Sequence, residues 1–320
     1  MYTGAERELL DIQRLASNRR PLNIWSDITA HRGYAGCGIS AIQPFAHQFP
    51  KDGILLISGV HVRLSAWLKY TRFERVVIFY NLASHGLLFS MIERVREATG
   101  LEPELVFVSA MLQSSVGLPG RVARSLMDLQ PFVDVAEKRL EKTSSAENPP
   151  AVKRQFTVGR LSRDSPDKHH PDDPALYRML ASRGVLVRIM GGTCLAPALD
   201  RVEGVELLAA GAESPPDFYR SLDTFVYRTG TAMEAYGRVI LEAMASGLPV
   251  VAHHRGGYAE IIEHGRHGFL FHTQEQAYDA VMALHALRAL RTATGKEAMQ
   301  RAVELHGTQA AEKELSFYLR

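Results

Sequence analysis

The sequence predicts an α/β protein made of two doubly wound, Rossmann-like domains facing across a cleft. Short apolar runs alternate with longer stretches whose apolar residues recur every three to four positions, the pattern of parallel strands covered by helices on both faces. The length, 320 residues, suits two domains of ordinary size. A polar, proline-ended stretch at 142–150 (KTSSAENPP) reads as the linker between them.

Taken in order, strands are expected at residues 22–25, 53–57, 75–80 and 104–108 of the first half. In the second half they are expected at 155–158, 185–190, 224–227, 249–252 and 268–271. Helical spacing marks 5–20, 87–98, 174–182, 238–245, 276–292 and 296–317. The resulting division is a first domain at 1–141, a linker at 142–150, a second domain at 151–300 and a terminal segment at 301–320. Ligands of open α/β sheets sit beyond the carboxyl ends of the strands, often with a phosphate at a helix N-terminus.

Composition narrows the function classes. Hydrophobic residues make up 46% and charged residues 22%, enough apolar material for two cores, so a disordered chain is excluded. Thirty-seven basic against 35 acidic side chains leave a net charge of +2, not the excess of a nucleic-acid binder. Two distant cysteines, Cys37 and Cys194, are too few for a disulfide framework or a cysteine metal site and fit a reducing, cytoplasmic compartment. Residues 5–20 are charged and helical, unlike a signal peptide. The most apolar stretch, 76–92, is interrupted by Asn81, Ser84 and His85 and is too short to span a bilayer. Peripheral docking at the inner face of a membrane stays open.

The informative segment runs from Glu234 through Gly237, Arg238 and Glu242 to Gly247. Gly237 suits the start of a helix and Gly247 its end, with the next strand following at once. Two carboxylates then flank a helix start whose free N–H groups suit a phosphate, although Glu242 alone also fits an ordinary amphipathic helix. Upstream, the strand at 155–158 leads through Gly159 to Arg160, Arg163 and Lys168, cations suited to a departing diphosphate. Gly191 follows one apolar run and Gly211 another, each readable as a tight turn.

This arrangement resembles the Glu-x7-Glu motif of retaining, nucleotide-sugar-dependent GT-B glycosyltransferases, especially family 4 (glycosyltransferase group 1). The resemblance extends upstream through Asp217–Val226 and downstream through His253–Ile262 and His267–Leu270, covering most of residues 155–272. Where the family commonly ends a strand in Pro-Ser, this chain has Tyr227-Arg228-Thr229. The resemblance implies that Glu234 holds the sugar hydroxyls and steadies the oxocarbenium-like centre. It further implies that Glu242 accepts from the ribose and that Lys168 with Arg163 binds the donor diphosphate beside Gly237 and Arg238. Arg160 competes with Arg163 for that contact. Gly191 and Gly211 are implied to pass near the base or sugar.

In the first half the resemblance thins. The glycine-rich segment with Gly33, Gly36 and Gly38 follows the first strand and is expected to open a helix, and the resemblance implies that Gly36 and Gly38 pass near the donor. Its spacing is not G-x-G-x-x-G, so nicotinamide binding is disfavoured. His85, followed by Gly86, matches a functional histidine that some family members carry at a strand end, and His61 is its rival. Residues 104–109 and the helix after them resemble a late strand of the family's first domain, and the terminal helix is implied to cross back onto that domain.

No Asp-x-Asp follows a strand, and His169-His170 and His253-His254 are adjacent pairs without metal-ligand spacing. The expectation is metal-independent transfer of a hexosyl unit from a UDP or GDP sugar to a glycan, glycolipid or small-metabolite hydroxyl, with no further cofactor. The alternatives are a sugar- or nucleotide-binding module of the same fold without turnover, a nucleotide-sugar epimerase or a sugar-phosphate phosphorylase.

Overall fold

The computed structural model describes residues 4–19, 21–28, 34–144 and 154–320. Its backbone divides into two compact units, Met1–Asp128 with His306–Arg320, and Leu129–Leu305.

The first unit opens with α1 (Gly4–Ala16), followed by β1 (Ile24–Ser26), β2 (Ile39–Ala41), β3 (Asp52–Ser58), β4 (Arg72–Tyr80), α2 (His85–Thr99), β5 (Glu104–Phe107), α3 (Ala110–Val116) and β6 (Arg121–Val122). Strands β3, β4, β5 and β6 form a parallel sheet in that order, and β1 and β2 form a separate parallel pair. The glycine-rich segment was expected to open a helix but leads into β2, paired with β1 at Ile24–Ile39 and Trp25–Ser40. Ile39 at its start favours strand over helix, and Pro44 opens a 3₁₀ turn at Pro44–Ala46 rather than prolonging one. Gly33 lies outside the described residues.

The second unit contains α4 (Gln130–Ser144), β7 (Thr157–Leu161), α5 (Asp173–Ala181), β8 (Leu186–Met190), α6 (Ala196–Leu199), β9 (Val205–Leu208), α7 (Pro215–Arg220), β10 (Thr224–Tyr227), α8 (Arg238–Ala245), β11 (Val250–His253), β12 (Gly268–Phe271), α9 (Gln274–Ala286) and α10 (Arg288–His306). Helix α4 thus groups with this unit, whereas the expected boundary at residue 141 put it in the first. Residues 145–150 of the expected linker lie outside the described residues. All six strands run parallel in the order β12-β11-β10-β7-β8-β9, a doubly wound sheet whose strand order reverses between β7 and β10.

The central strands are buried along their whole length, as parallel strands covered on both faces must be. Alternation sends Val226 to one face, where Val158, Val187, Ile189 and Val251 pack with Leu176 and Leu180 of α5 and Val281 and Leu284 of α9. On the other face Phe225 meets Tyr219 of α7 at 5.6 Å, and Tyr219 meets Phe132 of α4 at 5.8 Å. The C-terminal helix α11 (Thr308–Tyr318) belongs to the first unit. There Glu314 pairs with Arg121 at 2.7 Å, Arg75 donates to the Phe317 carbonyl at 2.6 Å, and the Tyr318 ring packs edge-on to Phe79.

Gly295 of α10 lies against the turn that ends α8. A Cβ there would sit 2.4 Å from the Gly247 carbonyl oxygen. In an exposed helix, Gly→Ala stabilises by about 1 kcal/mol. Here backbone must move, so Gly295→Ala is expected to destabilise by about 1–3 kcal/mol. Calorimetry checks this; a raised unfolding midpoint would mean that α10 parts freely from the turn.

Candidate functional site

The place where strand order reverses selects the site. Residues leaving the carboxyl ends of the adjacent strands β7 and β10 are brought together there: the loop carrying Arg163 and Lys168 after β7, and the loop carrying Glu234 after β10. Lys168 closes a 3₁₀ turn at Pro166–Lys168, and its Nζ lies 2.9 Å from Glu234 Oε2. Both side chains are about one-fifth exposed, at 18% and 20%. The Tyr227 hydroxyl donates to the same oxygen at 2.8 Å.

Close backbone approach sets this meeting. The amide of Thr231 donates to the Asp167 carbonyl at 3.1 Å, tying the two loops together one residue before Lys168. Gly230 permits it, since a Cβ there would stand 2.2 Å from the same carbonyl oxygen. Beyond Glu234, Gly237 takes a left-handed conformation (φ 84°) and opens α8 without a side-chain cap. A helix start of this kind favours negative charge, and the Ile240 amide already donates to the Gly237 carbonyl at 2.9 Å. Arg238, half-buried, is the first helical residue. The Gly257 amide supports the loop from below by donating to the Glu234 carbonyl at 3.0 Å.

Arg163 stands at the edge of this group, 37% exposed, 3.3 Å from Asp167. The Asp167 carboxyl is held below its ordinary range by the Ser165 hydroxyl first, then by Arg163 and Lys168. Arg160 does not stand with them. It is 1% exposed, its guanidinium lies 4.4 Å above the Tyr227 ring, and it donates to the carbonyls of Arg228, at 3.0 Å, and Lys168. The expected diphosphate contact of Arg160 is thereby replaced by an interior one, because its side chain leaves β7 into the core.

Glu242, the residue implied to accept from a ribose, lies deeper. It is fully buried within α8, and its Oε2 accepts from the Tyr219 hydroxyl at 3.0 Å. The side chain turns toward α7, where this hydroxyl holds it. Gly191 (φ 79°) follows β8, where its carbonyl oxygen lies 2.9 Å from His169 Nε2. Gly211 (φ 78°) lies in the exposed turn after β9. In the first unit, Gly36 and Gly38 both have positive φ, and no atom of the described residues lies within 4 Å of where a Cβ would stand. His85 begins α2, exposed, its Nε2 3.2 Å from Ser115 Oγ. His61 is exposed beyond β3.

Three residues outside the sequence-based candidates shape the site: Tyr227, Gly230 and Arg228. Arg228, 4% exposed, lies 3.6 Å from the buried Asp173 and 3.8 Å from Asp172. The departure from a Pro-Ser strand end at 227–229 was the available signal for the first and last of these. Among the described residues, no cluster of three or more His, Cys, Asp or Glu side chains is arranged to hold a metal.

Next to Arg228, His253 stacks on Phe271 at 5.4 Å. Burial first, then Arg228, His170, Arg255 and His272, push the His253 imidazole down to about 4 from 6.5. The folded protein keeps the ring neutral where the unfolded chain would take up a proton. Its contribution is present above pH 6.5 and is lost as the pH falls toward 4. His253→Gln is expected to flatten the stability profile between those values, measured by denaturant unfolding. An unaltered slope would place the acid sensitivity elsewhere.

Residues 194–301 match the family model for glycosyl transferases group 1. Spore coat protein SA of Bacillus subtilis (strain 168) is 36% identical over 107 residues, covering 32% of this chain and 28% of that protein. The GDP-mannose-dependent alpha-mannosyltransferase of Mycobacterium tuberculosis (strain CDC 1551 / Oshkosh) is 28% identical over 220 residues, 65% of this chain and 55% of the relative. The chain thus spans from about a quarter to just over half of these curated relatives. The crystal structure of Anabaena Alr3699/HepE in complex with UDP superposes with a TM-score of 0.72 at 18% identity, over 99% of this chain and 96% of that one. The fold is accordingly the GT-B type, with two Rossmann-like domains.

Proposed function

We propose that this chain, which carries a group 1 glycosyltransferase domain in its second unit, moves a hexosyl unit from a nucleoside diphosphate sugar to a hydroxyl acceptor with retained anomeric configuration. The observation that carries the reading is the Lys168–Glu234 pair at the carboxyl ends of β7 and β10, beside the uncapped start of α8. The relatives support the donor class: one is named for GDP-mannose dependence, and one structural neighbour was solved with UDP.

The site offers a division of labour. As the anomeric bond breaks, its electron pair stays on the departing diphosphate. In this reading Lys168, Arg163 and the start of α8 receive that charge, so neutralisation is assigned to protein groups rather than a metal ion. Glu234 is the group for the sugar hydroxyls and the developing positive charge at the ring. Without a ligand, Lys168 and Glu234 neutralise each other; a diphosphate draws Lys168 away and leaves the Glu234 carboxylate to the sugar. The acceptor class is a glycan, glycolipid or small-metabolite hydroxyl. Among the described residues no helix is long and apolar enough to cross a membrane.

A thermal-shift panel of UDP, GDP and ADP tests the donor site. One of the first two is expected to stabilise the protein by about 2–3 kcal/mol at a hundredfold excess over its Kd. Glu234→Gln is expected to keep that shift while transfer falls by about 10²-fold or more. Stabilisation by NAD and by none of the nucleoside diphosphates would overturn the reading.

A further inference from the structure

Glu234 holds both of its donors on one oxygen. Lys168 Nζ and the Tyr227 hydroxyl both reach Oε2, and no partner among the described residues is found for Oε1. The two donors are held very differently. Lys168 ends a short turn at the site's edge, on a flexible four-carbon stem.

Tyr227 is the last residue of the central strand β10 and is only 2% exposed. Its ring stacks with Phe225 at 6.4 Å and packs edge-on to Tyr258 at 5.6 Å. The Arg160 guanidinium covers it at 4.4 Å. Arg160 is in turn pinned by the Arg228 and Lys168 carbonyls. The phenol therefore cannot swing away without dismantling the sheet end.

We infer that Tyr227 is a positioning residue, which keeps Glu234 in its working orientation when Lys168 is drawn onto the donor diphosphate. The inference rests on the donor-site reading above and adds to it a residue that the family resemblance does not assign. A carboxylate that loses its counter-ion is free to rotate about its side-chain torsions. One fixed O–H donor on Oε2 removes that freedom and leaves Oε1 directed at the ligand. Burial first, and then the Glu234 carboxylate itself, hold the Tyr227 phenol well above its ordinary range, so it stays a protonated donor throughout the working pH range. Tyr227 touches no ligand group in this scheme, so its loss separates turnover from binding.

The test begins with the wild-type protein, monitoring nucleoside diphosphate release from UDP-glucose, GDP-mannose and ADP-glucose. No release from any donor rejects the donor-site reading, and this inference with it. With the donor that is turned over, Tyr227→Phe is expected to lower kcat at least tenfold, while the Kd for the nucleoside diphosphate moves less than twofold. In a Glu234→Ala background the same substitution is expected to cause no further loss, because its effect passes through the carboxylate. Three results overturn the inference while leaving the donor site intact. They are an unchanged kcat in Tyr227→Phe, an equal loss in the Glu234→Ala background, and a joint fall in unfolding midpoint and nucleotide affinity.

Discussion

The side-by-side parallel pairing of β7 and β10 is the constraint on which the site depends. It places Lys168 and Glu234, 66 residues apart in sequence, within hydrogen-bonding distance. Parallel neighbours need long crossovers, so each strand releases its chain on the same edge of the sheet. At the point where the order reverses, the two crossovers run to opposite faces, and the loops between them are left to form a pocket. The Lys168–Glu234 pair is the chemical result of that topology.

Two buried arginines support the pair from the interior. Arg160 stacks over Tyr227, and Arg228 pairs with Asp173 just beyond the end of β10. Removing one partner of a buried ion pair typically destabilises by about 3–5 kcal/mol, so such residues are bound to their places. Their charge also keeps the neighbouring imidazoles neutral: burial first, then Arg160, lowers His169, and Arg228 contributes next after burial at His253. His169 and His253 are thereby poor candidates for a charged ligand contact, and the partly exposed cations Lys168 and Arg163 sit at the site's edge.

Much of the architecture was legible in the sequence. The strand at Thr224–Tyr227 and the helix at Arg238–Ala245 fall where periodicity placed them, because fully buried parallel strands read as unbroken apolar runs and Gly237 and Gly247 punctuate the helix. Short strands such as β2 and β6 were not legible, since three or two residues carry no period. The C-terminal helices were divided differently as well, with breaks at Leu287 and Gly307 that apolar spacing alone does not mark.

The sequence by itself determined the class of fold and the segment that holds the candidate chemistry, because hydrophobic period and glycine punctuation are local properties of the chain. Which charged side chains stay at the strand ends and which turn into the core was decided only by tertiary structure. Arg160, Arg163, Lys168, Glu234 and Glu242 are equally polar as letters. Packing alone sends Arg160 and Glu242 inward, onto Tyr227 and Tyr219, and leaves Lys168 and Glu234 at the strand ends. The direction in which a side chain leaves its strand or helix depends on neighbours distant in sequence, and no spacing rule carries that information.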